Sequence, residues 1–498
     1  MFSRADRLIL LLSVAAIFSS YYVCDRFYEQ LPHTEDEISY RWQARVFAEG
    51  KLFVASPPHA KDMFIPFVID HQGKRFSKYT PGWPLVLSLG MRIGLDSWVN
   101  PLLGGISVWL TYLLGKRLVS LPAGFIAALL MATSPFFLLN SGTYLSSNLS
   151  LMLTGIIALA WVESFSHPAS DRYPIVAGLC LGYLALTRPL TAVGVALPFG
   201  IHELILAWRN ELNSRRRMLV VVSLAVSLAG FLLLWQYLTT GSPFLNPYTL
   251  WWSFDRIGFG KGYGPTPGGY TLKEAQENMK VMLRAARRDA FGWGRLSWIF
   301  IPFGLWSFRK NKPAWSVLAI FFSLVLAYAF YFGTVTRYGP RYYYEGLYSL
   351  TILSAAGIVW LAGRNRLRIA LAVLLTGGLI GYNLFFYLPA RFDKARAIYG
   401  ITRAQLSPFQ TAEALQRTPA LVLVALNEKN VYGNLDEDWS RYGGLLELQN
   451  PDLTSPFIFA VMRGEAENEA LIRDYPNRRV IYYYPDEPGK FYESPRSE

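Results

Sequence analysis

The feature that most constrains this chain is a series of uninterrupted apolar runs. Several of them, such as 218–235 and 369–388, approach or reach the ~20 residues needed to cross the hydrocarbon core of a bilayer. A backbone in lipid has no water to bond, so such runs must be helices that satisfy their own amides. Only 17% of the residues are charged and 52% are hydrophobic, whereas a soluble domain carries roughly 25% charged residues. The 498 residues are therefore not about three soluble domains in a row; they read as an α-helical membrane protein that spans many times.

The net charge of +13 does not point to nucleic acid, because the basic residues gather in short loops between apolar runs, where they set topology. Lys116 with Arg117, and the loops 209–217, 309–312 and 364–368, belong on the cytoplasmic side together with Arg4 and Arg7. That assignment gives about eleven crossings, at roughly 7–24, 98–115, 122–139, 144–163, 173–187, 190–208, 218–239, 293–308, 314–335, 345–362 and 367–388. The stretch 81–95 cannot be one of them without splitting the basic loops between two sides. It is short, opens Pro-Gly-Trp-Pro and holds Arg92, which suits a helix lying in the interface.

The first run, 8–24, follows Arg4 and Arg7 as a signal peptide does, but lacks a small-residue cleavage site and reads as a retained helix. Cys24 and Cys180 lie in apolar stretches and read as lipid- or core-facing thiols, not as a disulfide. The division that follows is a transmembrane domain, 1–388, with external loops 25–97 and 240–292, and an extracytoplasmic α/β domain, 389–498. In that tail, short apolar strands are expected at 420–426, 456–461 and 479–484, with helix-forming residues at 465–474.

Chemistry is suggested first by His33-Thr34-Glu35-Asp36-Glu37, just outside the first crossing. Three adjacent carboxylates at an interface are costly unless solvated or used. Thr34 capping a helix with acids in its first turn accounts for them equally well on these residues alone. Four basic residues on the same predicted face shift the balance: Lys78, Arg188, Arg337 and Arg341. Cations at outer ends run against the positive-inside bias, and Arg and Lys are suited to phosphate. Snorkelling and an interfacial aromatic belt are the plainer explanations for them. An acid able to take the proton of an attacking hydroxyl, beside cations able to hold a departing phosphate, is a centre for glycosyl transfer from a lipid-phosphate sugar. No GxGxxG or Walker cradle for a nucleotide donor follows a plausible strand.

The order of these residues resembles the GT-C glycosyltransferases of the protein O-mannosyltransferase and aminoarabinose transferase type. The matching features are Asp36-Glu37 after the first helix, Lys78-x-x-Pro81, Thr133-Ser134-Pro135, Thr187-Arg188-Pro189, and Gly339-Pro340-Arg341-Tyr342-Tyr343, over roughly 1–390. The resemblance implies that Asp36 is the base, with Glu37 as the second acid, and that Lys78, Arg188, Arg337 and Arg341 bind the lipid phosphate. It further implies inversion by a single displacement. Many relatives carry an acid after the Ser-Pro motif, where this chain has Ser146-Ser147-Asn148; a divalent cation is left open and unsupported, and no other cofactor is implied.

Glu35, Trp251, Trp252, Tyr263 and Tyr342 are candidates for acceptor or sugar contact, the loop 240–292 being rich in aromatics and glycines. Asp436-Glu437-Asp438 reads as a solvated loop, and His33 as surface or supporting, since His59 and His71 lack ligand spacing with it. The partners expected are a polyprenyl-phosphate-linked sugar, membrane lipids and a glycan, lipid or protein acceptor, with no nucleic acid. A bacterial inner-membrane location is expected, with a cytoplasmic N-terminus. The competing readings are a transporter or flippase of lipid-linked sugars, which the lack of inverted repeats disfavours, and a non-catalytic scaffold.

Overall fold

The computed structural model describes residues 3–496 apart from 210, 212, 310, 311, 397 and 427–441. Asp436, Glu437 and Asp438 lie outside the described residues. Among those described, six helices are long and apolar enough to cross a membrane: Arg4–Arg26 (α1), Ser147–Ser166, Pro189–Trp208, Ser214–Thr240, Arg341–Ala362 and Arg366–Asp393. The pair Leu121–Ala132 and Pro135–Ser141, bent by 56°, makes a seventh if it forms one span. Ser134 causes the bend's restart, its hydroxyl accepting from the amide of Phe137 at 3.2 Å with Pro135 at the first helical position. The other apolar runs fall on Asp96–Leu118, on Arg172–Thr187 and on helices as short as Ile301–Phe308 and Ile320–Tyr328.

The segment 25–97 builds a small platform on these helices. Helix α2 (Glu35–Ala48) follows α1, and three strands follow α2: β1 (Val54–Ala55), β2 (Val68–His71) and β3 (Lys74–Ser77), antiparallel in the order β1-β3-β2. The turn from β2 to β3 is Gln72-Gly73, with φ of +50° and +75°. This is the left-handed pair that a two-residue hairpin needs, so glycine is required there. The Ser77 hydroxyl meets that of Ser39 on α2 at 2.7 Å, and the Ser77 amide donates to Gln43 at 2.9 Å. These bonds fasten the end of the hairpin beside the first turn of α2.

Helix α3 (Gly82–Arg92) falls within the stretch 81–95 and has 11 residues, with Trp83 and Leu87 buried and Leu85 and Leu89 exposed. It meets the interruption between the helices Arg172–Thr187 and Pro189–Trp208 at very short range. A Cβ on Gly82 would lie 2.7 Å from the Leu186 backbone, and Tyr183 and Thr80 each donate across the contact at 2.9 Å.

The tail contains a parallel sheet, β4 (Ala420–Val424), β5 (Phe457–Val461) and β6 (Arg479–Tyr483), in the order β5-β4-β6. The helix Glu465–Asp474 connects β5 to β6, as parallel strands require. All residues of β4 and β5 are buried, consistent with a sheet covered on both faces. One of its faces is covered by the segment 25–97: Ile38, Trp42 and Val46 of α2 share a core with Phe409, Val422, Phe459 and Tyr483. A saturated ion network reinforces the join. Glu447 accepts from Arg41 at 3.0 Å and from Arg45, and Arg41 also reaches Asp96 at 2.6 Å.

Candidate functional site

Asp36 occupies the first turn of α2, where a negative charge is favoured by the helix dipole. One carboxylate oxygen accepts from the Tyr79 hydroxyl and the other from the Arg341 guanidinium at 2.9 Å. Its side chain nonetheless stays 22% exposed, so the group lines a crevice instead of filling a core. Burial pushes its carboxyl up, but the Arg341 guanidinium, the Tyr79 hydroxyl and the Lys78 ammonium outweigh that and hold it below the usual carboxylate value. The group is an ionised carboxylate at neutral pH.

The three cations nearest to it each face a carboxylate. Lys78, which leaves β3 toward α3, lies 3.4 Å from Asp255 and inside an aromatic cage, 3.7 Å from the centre of Phe67 and 4.6 Å from that of Trp252. Burial lowers its pKa, against the pull of Asp255 and Asp36. Arg188 sits where Pro189 forces the preceding residue out of the helical region, at φ −148° and ψ 88°. There its guanidinium pairs with Glu345 at 3.1 Å and reaches the Arg341 carbonyl at 3.4 Å. Arg341 opens a short 3-10 turn after Gly339, whose φ of +80° and packing against Phe136 leave no room for a side chain. Buried atoms in this set keep spare capacity: Arg341 Nε and Glu345 Oε2 have no hydrogen-bond partner.

Glu37 sits apart from the crevice. Fully buried, it accepts from the amides of Tyr144 at 2.9 Å and His33 at 3.1 Å, from the Thr34 hydroxyl at 3.1 Å and from the Tyr338 hydroxyl at 3.4 Å. Thr34 stands at the helix N-terminus but spends its hydroxyl on Glu37 and caps nothing. His33 is buried, its ring between the carbonyls of Leu31 at 3.0 Å and Ile401 at 3.1 Å. Burial drives its pKa down to about 4, so the ring is neutral and donates through one nitrogen. Glu35 is half-buried beside Asp36, and burial together with Asp36 raises its pKa.

Of the aromatic candidates, Trp252 and Trp251 pack edge-on to Phe67, the base of the Lys78 cage. Tyr342 stacks on Tyr328 with ring centres 4.4 Å apart, and Tyr328 bonds Thr191 at 2.6 Å and Arg188 at 3.4 Å. Tyr263 packs on Gly258 within its own loop, and no contact ties it to Asp36 or Lys78 among the described residues. Arg337 is exposed over the ring of Tyr399, 3.8 Å from its centre. Among the described residues no group of three or more His, Cys, Asp and Glu side chains gathers as metal ligands. Asp255, Glu345 and Tyr79 were not singled out from the sequence. They are the partners of residues that were, and only folding brings them across separations of 177, 157 and 43 positions.

Residues 96–243 match the family described as oligosaccharyl transferase STT3, N-terminal. No curated protein matches the chain in sequence. Among solved structures, ArnT from Cupriavidus metallidurans in the apo state superposes with a TM-score of 0.56 at 14% identity, covering 96% of this chain and 93% of that one. The same protein bound to undecaprenyl phosphate gives 0.53 at 14% identity, over 95% and 89%. The archaeal oligosaccharyltransferase AglB from Archaeoglobus fulgidus, with an inhibitory peptide and a dolichol-phosphate, gives 0.52 at 13% identity, over 95% and 69%. The chain shares the helical, membrane-protein-like fold of ArnT and AglB, and residues 96–243 match the STT3 N-terminal family model.

Proposed function

We propose that this protein is an integral membrane glycosyltransferase that moves a sugar from a polyprenyl-phosphate donor to an extracytoplasmic hydroxyl acceptor. The observation that carries this reading is the meeting of one ionised, partly exposed carboxylate, Asp36, with Lys78, Arg188 and Arg341. Similarity of fold to proteins whose structures were solved with undecaprenyl phosphate and with a dolichol-phosphate supports the donor class. The eleven-crossing topology belongs to this reading: a cytoplasmic N-terminus and an extracytoplasmic tail, 389–498, in a bacterial inner membrane. It puts the crevice at the outer leaflet, where a lipid-borne donor arrives by lateral diffusion.

In the reaction, the acceptor oxygen attacks the anomeric carbon as the bond to the phosphate oxygen breaks, inverting that centre. The polyprenyl phosphate leaves with the bonding electrons, held by Lys78, Arg188 and Arg341. The hydroxyl proton passes to Asp36. Phosphate also acts on the base, because an anion beside Arg341 weakens that cation's hold on Asp36 and raises its proton affinity. The carboxylate thus becomes a better base when donor is present. Glu37 holds the first turn of α2 against Tyr144 and so positions Asp36, while Trp251, Trp252, Tyr342 and Glu35 line the approach to the sugar. The test is release of polyprenyl phosphate, read by mass spectrometry, from membranes supplied with polyprenyl-phosphate sugars and a hydroxyl acceptor. Release by wild type and not by Asp36→Asn supports the reading. Lipid movement between leaflets without release would replace it with a transporter.

A further inference from the structure

The four cations are not equivalent. Lys78, Arg188 and Arg341 each face a carboxylate within 3.4 Å, whereas Arg337 has no ion pair among the described residues and lies over Tyr399. Its backbone is nonetheless firmly held. Arg391 donates to the Arg337 carbonyl at 2.5 Å and is itself fixed by Asp289 at 3.2 Å, an acid that also accepts from Tyr387 at 2.6 Å. A fixed backbone carrying an uncompensated guanidinium is an arrangement suited to an anion that comes and goes.

Tyr399 is the second half of the arrangement. It is a half-buried aromatic residue with φ +57° and ψ 19°, a left-handed conformation that bulky side chains rarely adopt. The residues after it are tied down: Gln405 donates to the Gly400 carbonyl at 2.8 Å, and the His33 ring meets the Ile401 carbonyl. Ile401, two residues beyond Tyr399, meets the His33 ring, and Tyr338, next to Arg337, bonds Glu37, so the Arg337–Tyr399 pair stands beside the segment that carries Asp36. Glu35 in turn feels Asp36, Arg341 and Arg337. Beside Asp36 and Glu35 there is thus an aromatic ring covered by a guanidinium that has no ion pair among the described residues.

We propose that Arg337 and Tyr399 form an acceptor platform for a saccharide that carries an anionic group, phosphate or carboxylate, and that Arg337 does not belong to the donor-phosphate cradle. The sugar ring lies along Tyr399, its reacting hydroxyl faces Glu35 and Asp36, and its anionic group meets the Arg337 guanidinium. As an acceptor site this rests on the transferase reading above; as a binding site it does not.

The test uses the full-length protein in neutral-lipid nanodiscs, with glucose 1-phosphate, glucuronic acid and glucose as probes, read by saturation-transfer NMR, in the presence of saturating undecaprenyl phosphate. Glucose 1-phosphate or glucuronic acid is expected to bind about tenfold or more tighter than glucose, and Arg337→Gln and Tyr399→Ala are each expected to weaken it by about tenfold. Tyr399→Phe is expected to keep the binding, since the ring remains. Undecaprenyl phosphate affinity, measured on the same variants, is expected to stay within about twofold of wild type, which also shows that they are folded. Displacement of both sugar anions by undecaprenyl phosphate, loss of lipid-phosphate affinity in Arg337→Gln, or wild-type binding by both variants would overturn the proposal. Absence of polyprenyl phosphate release from any donor would remove the transferase reading and leave these binding results standing, so the two failures are distinguishable.

Discussion

Two buried ion clusters in this molecule use the same residue types in opposite ways. The network of Arg41, Arg45, Glu447 and Asp96 joins the segment 25–97 to the tail and is closed: Glu447 is 8% exposed and shared by two guanidinium groups, and Arg45 also donates to the carbonyls of Leu446 and Gln449. Arginines 41 and 45 hold Glu447 below the usual carboxylate value although burial pushes it up. The Asp36 cluster differs not in exposure, since Asp36 at 22% matches Asp96 at 23%, but in the unpartnered buried atoms on Arg341 and Glu345. A structural ion cluster spends its hydrogen-bonding capacity on the protein; one that must take a ligand keeps some back.

The sharpest way to break this contrast is at the two carboxylates themselves. Asp36→Asn keeps the shape and removes the base, so polyprenyl phosphate release should fall by about 10²–10⁴-fold while thermal stability changes little. Glu447→Ala should do the reverse. It leaves Arg41 with Asp96 alone and Arg45 with backbone carbonyls, costing about 1.5–3 kcal/mol in unfolding free energy by denaturant titration, with lipid-phosphate affinity intact in whatever fraction stays folded. Equal effects of the two substitutions on stability would erase the distinction.

Smaller effects sharpen it. Lys78→Met should weaken lipid-phosphate binding by about 10- to 100-fold, the worth of one charged contact. Glu345→Gln frees Arg188 from its counter-charge, so undecaprenyl phosphate should bind about tenfold tighter to this variant and raise its melting temperature more than that of wild type. If Glu345 is only structural, the added lipid restores nothing.

The pH profile separates the groups further. Asp36 is held below the unfolded value of about 3.9. Its contribution to stability is therefore complete above that value and is lost as pH falls through the lowered one, and lipid-free enzyme should keep its carboxylate ionised at acidities that protonate an ordinary aspartate. Lys78 is lowered by burial from about 10.4. Its charge is lost on rising pH earlier than an ordinary lysine's, folding stability gains on that rise, and phosphate affinity falls with it. A Lys78→Arg variant, which cannot lose its charge, should abolish the alkaline decline in affinity measured by lipid titration.

The tail was legible in the sequence because its strands are short apolar runs bounded by polar residues: β4, β5 and β6 fall inside 420–426, 456–461 and 479–484, and the helix is Glu465–Asp474. Helix α3 was legible for the same reason, as a short apolar run. The β2–β3 hairpin was missed because Gln72-Gly73 is not among the Asn-Gly and Asp-Gly pairs that mark such a turn in a sequence. Span counting was harder. Ile301–Phe308 and Ile320–Tyr328 have 8 and 9 residues, which at 1.5 Å per residue cover less than half of a ~30 Å core; hydropathy averages over such breaks. Lys78, Arg188 and Arg341 could be picked out beside apolar runs, but Asp255 and Glu345 could not. Their role depends on a single long-range meeting, and no periodicity records that.

Helix α2 faces two ways, and this has a consequence for any attempt to retarget the enzyme by exchanging parts. Its first turn offers Asp36 to the crevice, while Ile38, Trp42 and Val46 on the same helix are sealed into the core of the tail. Replacing residues 389–498 alone would strip that face and shift the carboxylate with it. A folded chimera has to carry residues 25–97 and the tail together, so the exchangeable unit of this fold is a pair of segments nearly 300 positions apart in the chain.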